Sequence, residues 1–330
     1  MKTILVTGGG GFIGSNLVAA LLKRGTYHIV VCDTFGSDDK WRNLSKHIVF
    51  EIIHPDRMFE WIEFNKVHIE MIYHIGGISS TVENDVDTLL RRNFDFSLRL
   101  WRWCNSRGVR LVYTSSSATY GNGEHGFDDT TDLAYLRSLK SLSAYGWIKH
   151  IFDMHVAGAL ERGEVSLPQW VGLKLFNTYG PNEYHKGEQR SMISKMAPSV
   201  LEGASVRLFR SYHPQYRDGE QKRDMIYVKD CVSVMLWLLD NPRVNGMFNL
   251  GSGKASTFRE MAEALYESVN RKPNITYIDM PDALVKNYQY FTEANMQKLR
   301  VEGYKQDFMS LKDGIQDYVQ NYLLAKDIYR

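Results

Sequence analysis

At 330 residues, 44% of them hydrophobic and 24% charged, the chain can bury a large core and has the composition of an ordinary soluble globular protein. Forty basic against 38 acidic side chains leave a formal net charge of +2, so there is no basic excess for nucleic acid or an anionic membrane to recognise. Cys32, Cys104 and Cys231 lie in or beside apolar runs without paired spacing, which reads as free thiols in a reducing compartment rather than disulfides or a metal site. The first residues enter a strand directly and no apolar run approaches the ~20 residues of a membrane span. The expectation is a cytoplasmic protein with no signal peptide.

In chain order, β-branched runs predict strands near 2–7, 28–33, 47–53, 69–74, 109–115 and 170–176. Helical patterns fill the gaps near 13–24, 56–65, 84–107 and 143–162. Such alternation implies an α/β fold of parallel βαβ units, a doubly wound sheet over residues 1–176. After Pro181 longer loops appear at 181–191 and 210–224. Thr257-x-x-Glu260 and Ser310-x-x-Asp313 each mark a helix start. Residues 177–330 are expected to form mainly a smaller α/β lobe that binds substrate. It should interleave with the first lobe, because 224–228 and 248–251, within 224–252, look like strands returning to it. A ligand then belongs between the lobes, at the C-terminal edge of the sheet.

The opening strand, Lys2-Thr-Ile-Leu-Val-Thr7, runs into Gly8-Gly9-Gly10-Gly11-Phe12-Ile13-Gly14 and then a helix. Gly8, Gly11 and Gly14 sit three apart, which lets the backbone turn tightly, approach a pyrophosphate and pack helix on strand. The free N–H groups of the first helical turn, at Phe12 and Ile13, then face the phosphates. Asp33 ends the next apolar run, 19 positions after Gly14, where a ribose partner is expected. Together these predict a Rossmann-type dinucleotide site. Asp33 by itself favours NAD, because a carboxylate repels a 2′-phosphate. Lys40 and Arg42 follow closely, either as counter-charges or as a solvated loop.

Tyr145-Gly-Trp-Ile-Lys149 falls in a helical segment, so its two ends share a face one turn apart. Tyr322 and Lys326 repeat the spacing, and are assigned to a surface helix with no function. Context separates the two. Tyr145 follows Ser116 by 29 residues, and Ser116 lies in a hydroxyl cluster, 113–121, at the end of the apolar run 109–112. A tyrosine with an ordinary pKa of ~10 is a poor base at pH 7; a nearby ammonium and an oxidised nicotinamide both favour its phenolate. Closing a gap of ~3 units takes roughly 4 kcal/mol. Tyr145 would take a carbinol proton, Lys149 would supply charge and hold the ribose, and Ser116 would orient the substrate oxygen.

These residues, the first-turn glycines, Gly76-Gly77, Leu175-Phe-Asn-Thr-Tyr-Gly-Pro181, Arg223-Asp-Met-Ile-Tyr-Val-Lys-Asp230 and Phe248-Asn-Leu-Gly-Ser-Gly253 resemble the extended short-chain dehydrogenase/reductase superfamily. The resemblance spans the chain and implies a nucleotide-sugar enzyme with Gly76, Gly77 and Asn93 also at the cofactor. In the second half, Asn182-Glu-Tyr-His185-Lys186-Gly187 with Ser191-Met192, and the segment Tyr288 to Arg300, resemble the ADP-L-glycero-D-manno-heptose 6-epimerases. That resemblance implies inversion at C6 through a transient ketone, with Lys186 as a second acid/base opposite Tyr145. Read from the sequence alone, Lys186 has the alternative of a loop lysine or a diphosphate contact. The same resemblance carries Asn177, His185, Ser191, Arg223 and Tyr288 to the substrate, and Lys40 to the cofactor, which tips the expectation slightly towards NADP over NAD. It also implies a homo-oligomer and a role in building the lipopolysaccharide inner core. Asn177 as a turn residue, Arg223 as a surface ion pair and Tyr288 as core remain the structural alternatives.

Three rivals bear on the same residues. A UDP-hexose 4-epimerase would share Tyr145, but most lack a lysine matching Lys186. A 4,6-dehydratase would show an Asp-Glu pair where Ser117-Ala118 stands. A non-catalytic nucleotide sensor would have lost Tyr145 or Lys149. The loop 210–222 is longer than in some heptose epimerases, and Ile148 stands where the wider superfamily commonly has serine.

Overall fold

The computed structural model describes residues 1–80, 83–285 and 288–330. The strands are β1 (Thr3–Thr7), β2 (His28–Cys32), β3 (Glu51–Ile53), β4 (Ile69–His74), β5 (Arg110–Ser116), β6 (Trp170–Leu175), β7 (Asn177–Tyr179), β8 (Val206–Phe209), β9 (Lys222–Tyr227), β10 (Gly246–Leu250), β11 (Ala255–Thr257) and β12 (Ile275–Ile278). The principal helices are α1 (Phe12–Arg24), α2 (Pro55–Asn65), α3 (Phe96–Arg107), α4 (Ala144–Glu161), α5 (Met192–Glu202), α6 (Val228–Asp240), α7 (Phe258–Ser268) and α8 (Leu311–Tyr318).

Seven strands form one parallel sheet in the order β10-β6-β5-β4-β1-β2-β3. The chain turns back on itself at β1, flanked by β4 and β2, and this reversal opens a crevice at the strands' C-terminal ends. Alternation along each strand feeds two cores. Ile4 and Val6 pack towards α1 and α6, with Leu17, Leu21 and Met235, while Leu5 packs towards α2, α3 and α4, with Ile62, Trp101 and Phe152. Near-continuous burial of β1, β2, β4 and β5 is what a sheet covered on both faces requires.

The third core belongs to the second lobe, where α5, α7 and α8 enclose Val206, Leu208, Met225 and Tyr227. Thr257 caps α7 in a full capping box with Glu260, and Ser310 caps α8 through the Asp313 N–H. Both helix starts are where the sequence predicts them.

Three expectations need correction. Residues 224–228 do not return to the main sheet: β9 pairs with β7 and β11 in a separate three-stranded sheet, and only β10 goes back, beside β6. An apolar run marks a strand but not its partner. The strand expected over 47–53 shrinks to Glu51–Ile53, the residues that pair with β2 at the sheet's edge. Tyr322 and Lys326 do not share a surface helix, since Tyr322 packs into the second lobe's core from a π-turn that ends at Leu323, while Lys326 is exposed beyond it.

Candidate active site

The glycine turn is dictated by close approach. Gly8 has φ +67°, and a Cβ there would lie 2.6 Å from the Gly76 backbone; a Cβ on Gly14 would lie 2.1 Å from the Gly8 carbonyl oxygen. Among the described residues no side chain caps α1, whose N-terminus follows Gly11, so its first N–H groups stay free for an anion. Phe12, Ile13 and Gly14 border a cavity of about 350 Å³ together with Asp33, Lys40, Gly76 and Gly77. The residues thus fit a dinucleotide. Asp33 accepts hydrogen bonds from the Gly10 N–H (2.8 Å), the Thr34 N–H (2.8 Å) and the Lys40 ammonium (2.7 Å). Its charge is therefore already matched by Lys40, which shares with it, and with Arg92, the lining of an adjoining 240 Å³ cavity. Arg42 instead pairs with Asp39 at the surface. Asn93 lies behind the cleft wall rather than in it: its amide exchanges two 2.8 Å hydrogen bonds with the Ile78 backbone and braces the loop after Gly77.

Helix α4 begins at Ser143, whose hydroxyl accepts the Gly146 N–H, and Gly146 brings the helix close to the turn after Ser116. Tyr145, Lys149 and Ser116 line a second cavity of about 360 Å³ that adjoins the first. The Lys149 ammonium donates to the Thr114 carbonyl (2.8 Å), and burial lowers its pKa to about 8, against which the Asp153 carboxylate works. At neutral pH it is still mostly charged. Burial raises the Tyr145 phenol above its ordinary value, and a hydrogen bond with Ser116 offsets part of that rise. In this cleft the protein's own charges do not make Tyr145 a phenolate.

The second lobe supplies the facing groups. Lys186 rides on a 3₁₀ turn, Tyr184–Gln189, and lines both cavities; its ammonium lies 5.6 Å from the Phe12 ring centre. Burial lowers its pKa and the nearby Glu183 carboxylate raises it. Asn177, Ser191 and Arg223 line the same cavity as Tyr145. Asn177 donates to the Asp224 carbonyl (3.1 Å) and Ser191 caps α5. The Arg223 guanidinium makes one hydrogen bond, to the Lys222 carbonyl, has no acidic partner among the described residues, and lies against the Tyr288 and Phe258 rings at 5.3 and 5.7 Å. The surface ion pair is therefore excluded for Arg223. Tyr288 does not line this cavity; it backs Arg223. His185 belongs to the cofactor side, held by Asn43 (3.2 Å) where Lys40 and Asp33 lie, rather than to the substrate side.

A family model described as the NAD dependent epimerase/dehydratase family matches residues 4–251. An ADP-L-glycero-D-manno-heptose-6-epimerase from Nitratidesulfovibrio vulgaris (strain DP4) is 44% identical over 325 residues, 98% of each chain. Another of that name from Fusobacterium nucleatum is 40% identical over 334 residues, 99% of each. The chain belongs to this family. It is an epimerase, and so an isomerase. The heptose-6-epimerase structure from Helicobacter pylori shares its fold, with a TM-score of 0.79 at 24% identity over 97% of this chain and 96% of that one. So does a Thermus thermophilus UDP-glucose 4-epimerase in complex with NAD, with a TM-score of 0.76 at 22% identity over 98% of this chain and 100% of the other.

Within this epimerase, sequence reasoning missed the residues that hold Lys186 in place. Glu183, fully buried, accepts the Gly180 N–H (3.1 Å) and both the N–H and the hydroxyl of Ser191, so its carboxylate closes the loop that carries Lys186. Asn182 adopts φ +73°, a conformation asparagine tolerates better than most residues. Its amide bonds Ser15 of α1 (3.0 Å), and its carbonyl accepts from Asn43, which also holds the Gly10 carbonyl (3.0 Å). The signal available was Pro181-Asn182, a turn-forming pair. Among the described residues no cluster of His, Cys, Asp or Glu could hold a metal ion, and no helix is long and apolar enough to cross a membrane.

Proposed function

We propose that this epimerase inverts C6 of ADP-D-glycero-D-manno-heptose to give the L-glycero epimer, with NADP as its resident cofactor, Tyr145 and Lys186 as the two acid/bases, and Lys149 and Ser116 assisting. The observation that carries the reading is that Tyr145, from the sheet lobe, and Lys186, from the second lobe, line one cavity.

The C6 hydrogen of a heptose has no adjacent carbonyl and is not acidic, so inversion needs oxidation to a ketone first. When bound, the nicotinamide supplies a reversible hydride acceptor and a formal positive charge. Tyr145 takes the C6 hydroxyl proton of one epimer, its phenolate favoured by the Lys149 ammonium together with the positive charge a bound nicotinamide would supply. Rotation of the short C6–C7 arm turns the other face of the ketone, and Lys186 would protonate the oxygen from its own side as the hydride is restored to C6. Ser116 donates to the substrate oxygen, and Arg223, a cleft-wall guanidinium with no acidic partner among the described residues, suits the diphosphate as a bidentate donor. Asn177 and Ser191 border the sugar. At the adenosine end Arg92 adds a cation beyond the matched Asp33–Lys40 pair, which supports NADP. Residues 177–330 act mainly as the substrate lobe of a cytoplasmic homo-oligomer that feeds lipopolysaccharide core assembly.

The test is a proton NMR time course of the purified protein with ADP-D-glycero-D-manno-heptose and no added cofactor. Growth of L-glycero signals to an equilibrium mixture is the expected outcome; no change, with cofactor confirmed present, refutes the heptose assignment. Lys186→Ala should retain one half-reaction, and epimerisation at the wild-type rate refutes the two-base role.

A further inference from the structure

Asp153 and Lys174 form the most deeply buried ion pair among the described residues: 2.6 Å apart, with neither side chain exposed. Replacing such a pair by well-packed apolar residues is often neutral or stabilising, so stability alone does not account for it. Its location does. Asp153 lies one turn beyond Lys149 and two beyond Tyr145, on the same face of α4. Lys174 is the register partner of Ser115 across β5 and β6. The Asp153 Oδ2 atom accepts from both the Lys174 ammonium and the Ser115 hydroxyl (2.7 Å).

The network grips Ser116 from both sides. Ser115, just before it, is tied to Asp153. Thr119, three residues after it, accepts from Lys174 (2.9 Å) and donates to the carbonyl of Ser116 itself (2.9 Å). One turn back along the helix, Lys149 donates to the Thr114 carbonyl. Strand end and helix are thus joined twice, at Ser115–Asp153 and Thr114–Lys149, beside Ser116 on the strand and one helical turn from Tyr145.

We propose that Asp153, through Ser115 and Lys174, is the positioning residue that sets the register of Tyr145 and Lys149 against Ser116. This rests on the roles given above to Tyr145 and Lys149. A second effect follows from charge. Asp153 sustains the Lys149 ammonium against burial and opposes ionisation of Tyr145. The other groups facing this point are His74 from β4, held neutral by burial, Tyr113 from β5, Lys174 from β6, Tyr120 from the turn after Ser116, and His150 from α4. Oδ1 of Asp153 accepts no hydrogen bond among the described residues.

Two variants test this on the cofactor-loaded protein. Ser115→Ala cuts the helix–strand link without touching charge; kcat should fall about tenfold with KM within about twofold, because small misplacements at a reacting centre cost that much or more. Asp153→Leu/Lys174→Met removes the pair without stranding a buried charge. Its kcat should fall on the order of 100-fold, with the limb of the pH profile that depends on Tyr145 moved to lower pH. The ionisation of Tyr145, read without any sugar as an ultraviolet difference against Tyr145→Phe, should move the same way. A double variant that has lost melting temperature but keeps wild-type kcat, pH limbs and Tyr145 titration overturns the proposal. Should the double variant not fold, Ser115→Ala decides, and wild-type kcat there overturns it. A wild-type protein inert towards the heptose defeats the functional reading instead, and leaves the Tyr145 titration to judge Asp153.

Discussion

Lys149→Met is expected to stabilise the protein while ending turnover. Burial lowers the Lys149 ammonium from 10.5 to about 8. Below about pH 8 the folded and unfolded chains both carry the proton, and the folded state bears the whole cost of burying it. Between about 8 and 10.5 the unfolded chain holds more protons, so stability rises with pH across that window. The gap of about 2.5 pH units is worth about 3 kcal/mol at pH 7. Methionine keeps the apolar stem, carries no charge, and forfeits the hydrogen bond to the Thr114 carbonyl, a loss of about 1 kcal/mol. A net gain of about 2 kcal/mol at pH 7 should therefore shrink and then reverse towards pH 10. The assay is a pair of denaturant midpoints at the two pH values. Cofactor-free protein is required, because a ligand that binds only the folded chain would add its own stabilisation. A variant less stable than wild type at pH 7, or a difference that does not change with pH, refutes the reasoning.

Gly14→Ala would drive a Cβ to 2.1 Å from the Gly8 carbonyl oxygen, and the loop must open by about 1 Å. Nicotinamide-dinucleotide affinity should fall at least tenfold by titration calorimetry, and affinity within twofold of wild type counts against the cradle. Arg223→Ala should weaken ADP binding by about 2 kcal/mol, roughly 30-fold, with Arg223→Lys recovering only part of it; unchanged ADP affinity removes Arg223 from the diphosphate. Glu183→Gln takes away the carboxylate that raises the Lys186 pKa. The limb of the kcat profile that depends on Lys186 should move to lower pH, and an identical profile shows that Glu183 acts on the loop's shape alone.

The order of elements through the first half was legible because it depends on local pattern. Runs of β-branched and apolar residues marked β1 and β5, a helical pattern marked α4, and glycines spaced three apart marked the turn before α1. Tyr145, Lys149 and Ser116 came with that frame, since the strand end and the helix that carry them are near in sequence. Asn93 was assigned to the cofactor and His185 to the substrate by resemblance, yet Asn93 braces a loop and His185 faces the cofactor cavity. Their directions depend on Ile78 and Asn43, the latter 142 positions from His185. Strand β9 was recognised as a strand and given the wrong sheet for a similar reason: backbone hydrogen bonding is satisfied by any available edge, and the choice among edges is made by packing.

By itself, then, the sequence determined the doubly wound sheet, the dinucleotide turn and the Tyr145–Lys149 pair, because spacing of 2, 3 or 4 residues is converted directly into facing side chains by strand, turn and helix geometry. Tertiary structure alone decided that Lys186 shares a cavity with Tyr145, that Asp33 is neutralised by Lys40, and that Lys174 lies buried against Asp153. Each of these places charge where water is excluded, and the energy of a charge depends on every group around it, including groups brought from distant parts of the chain.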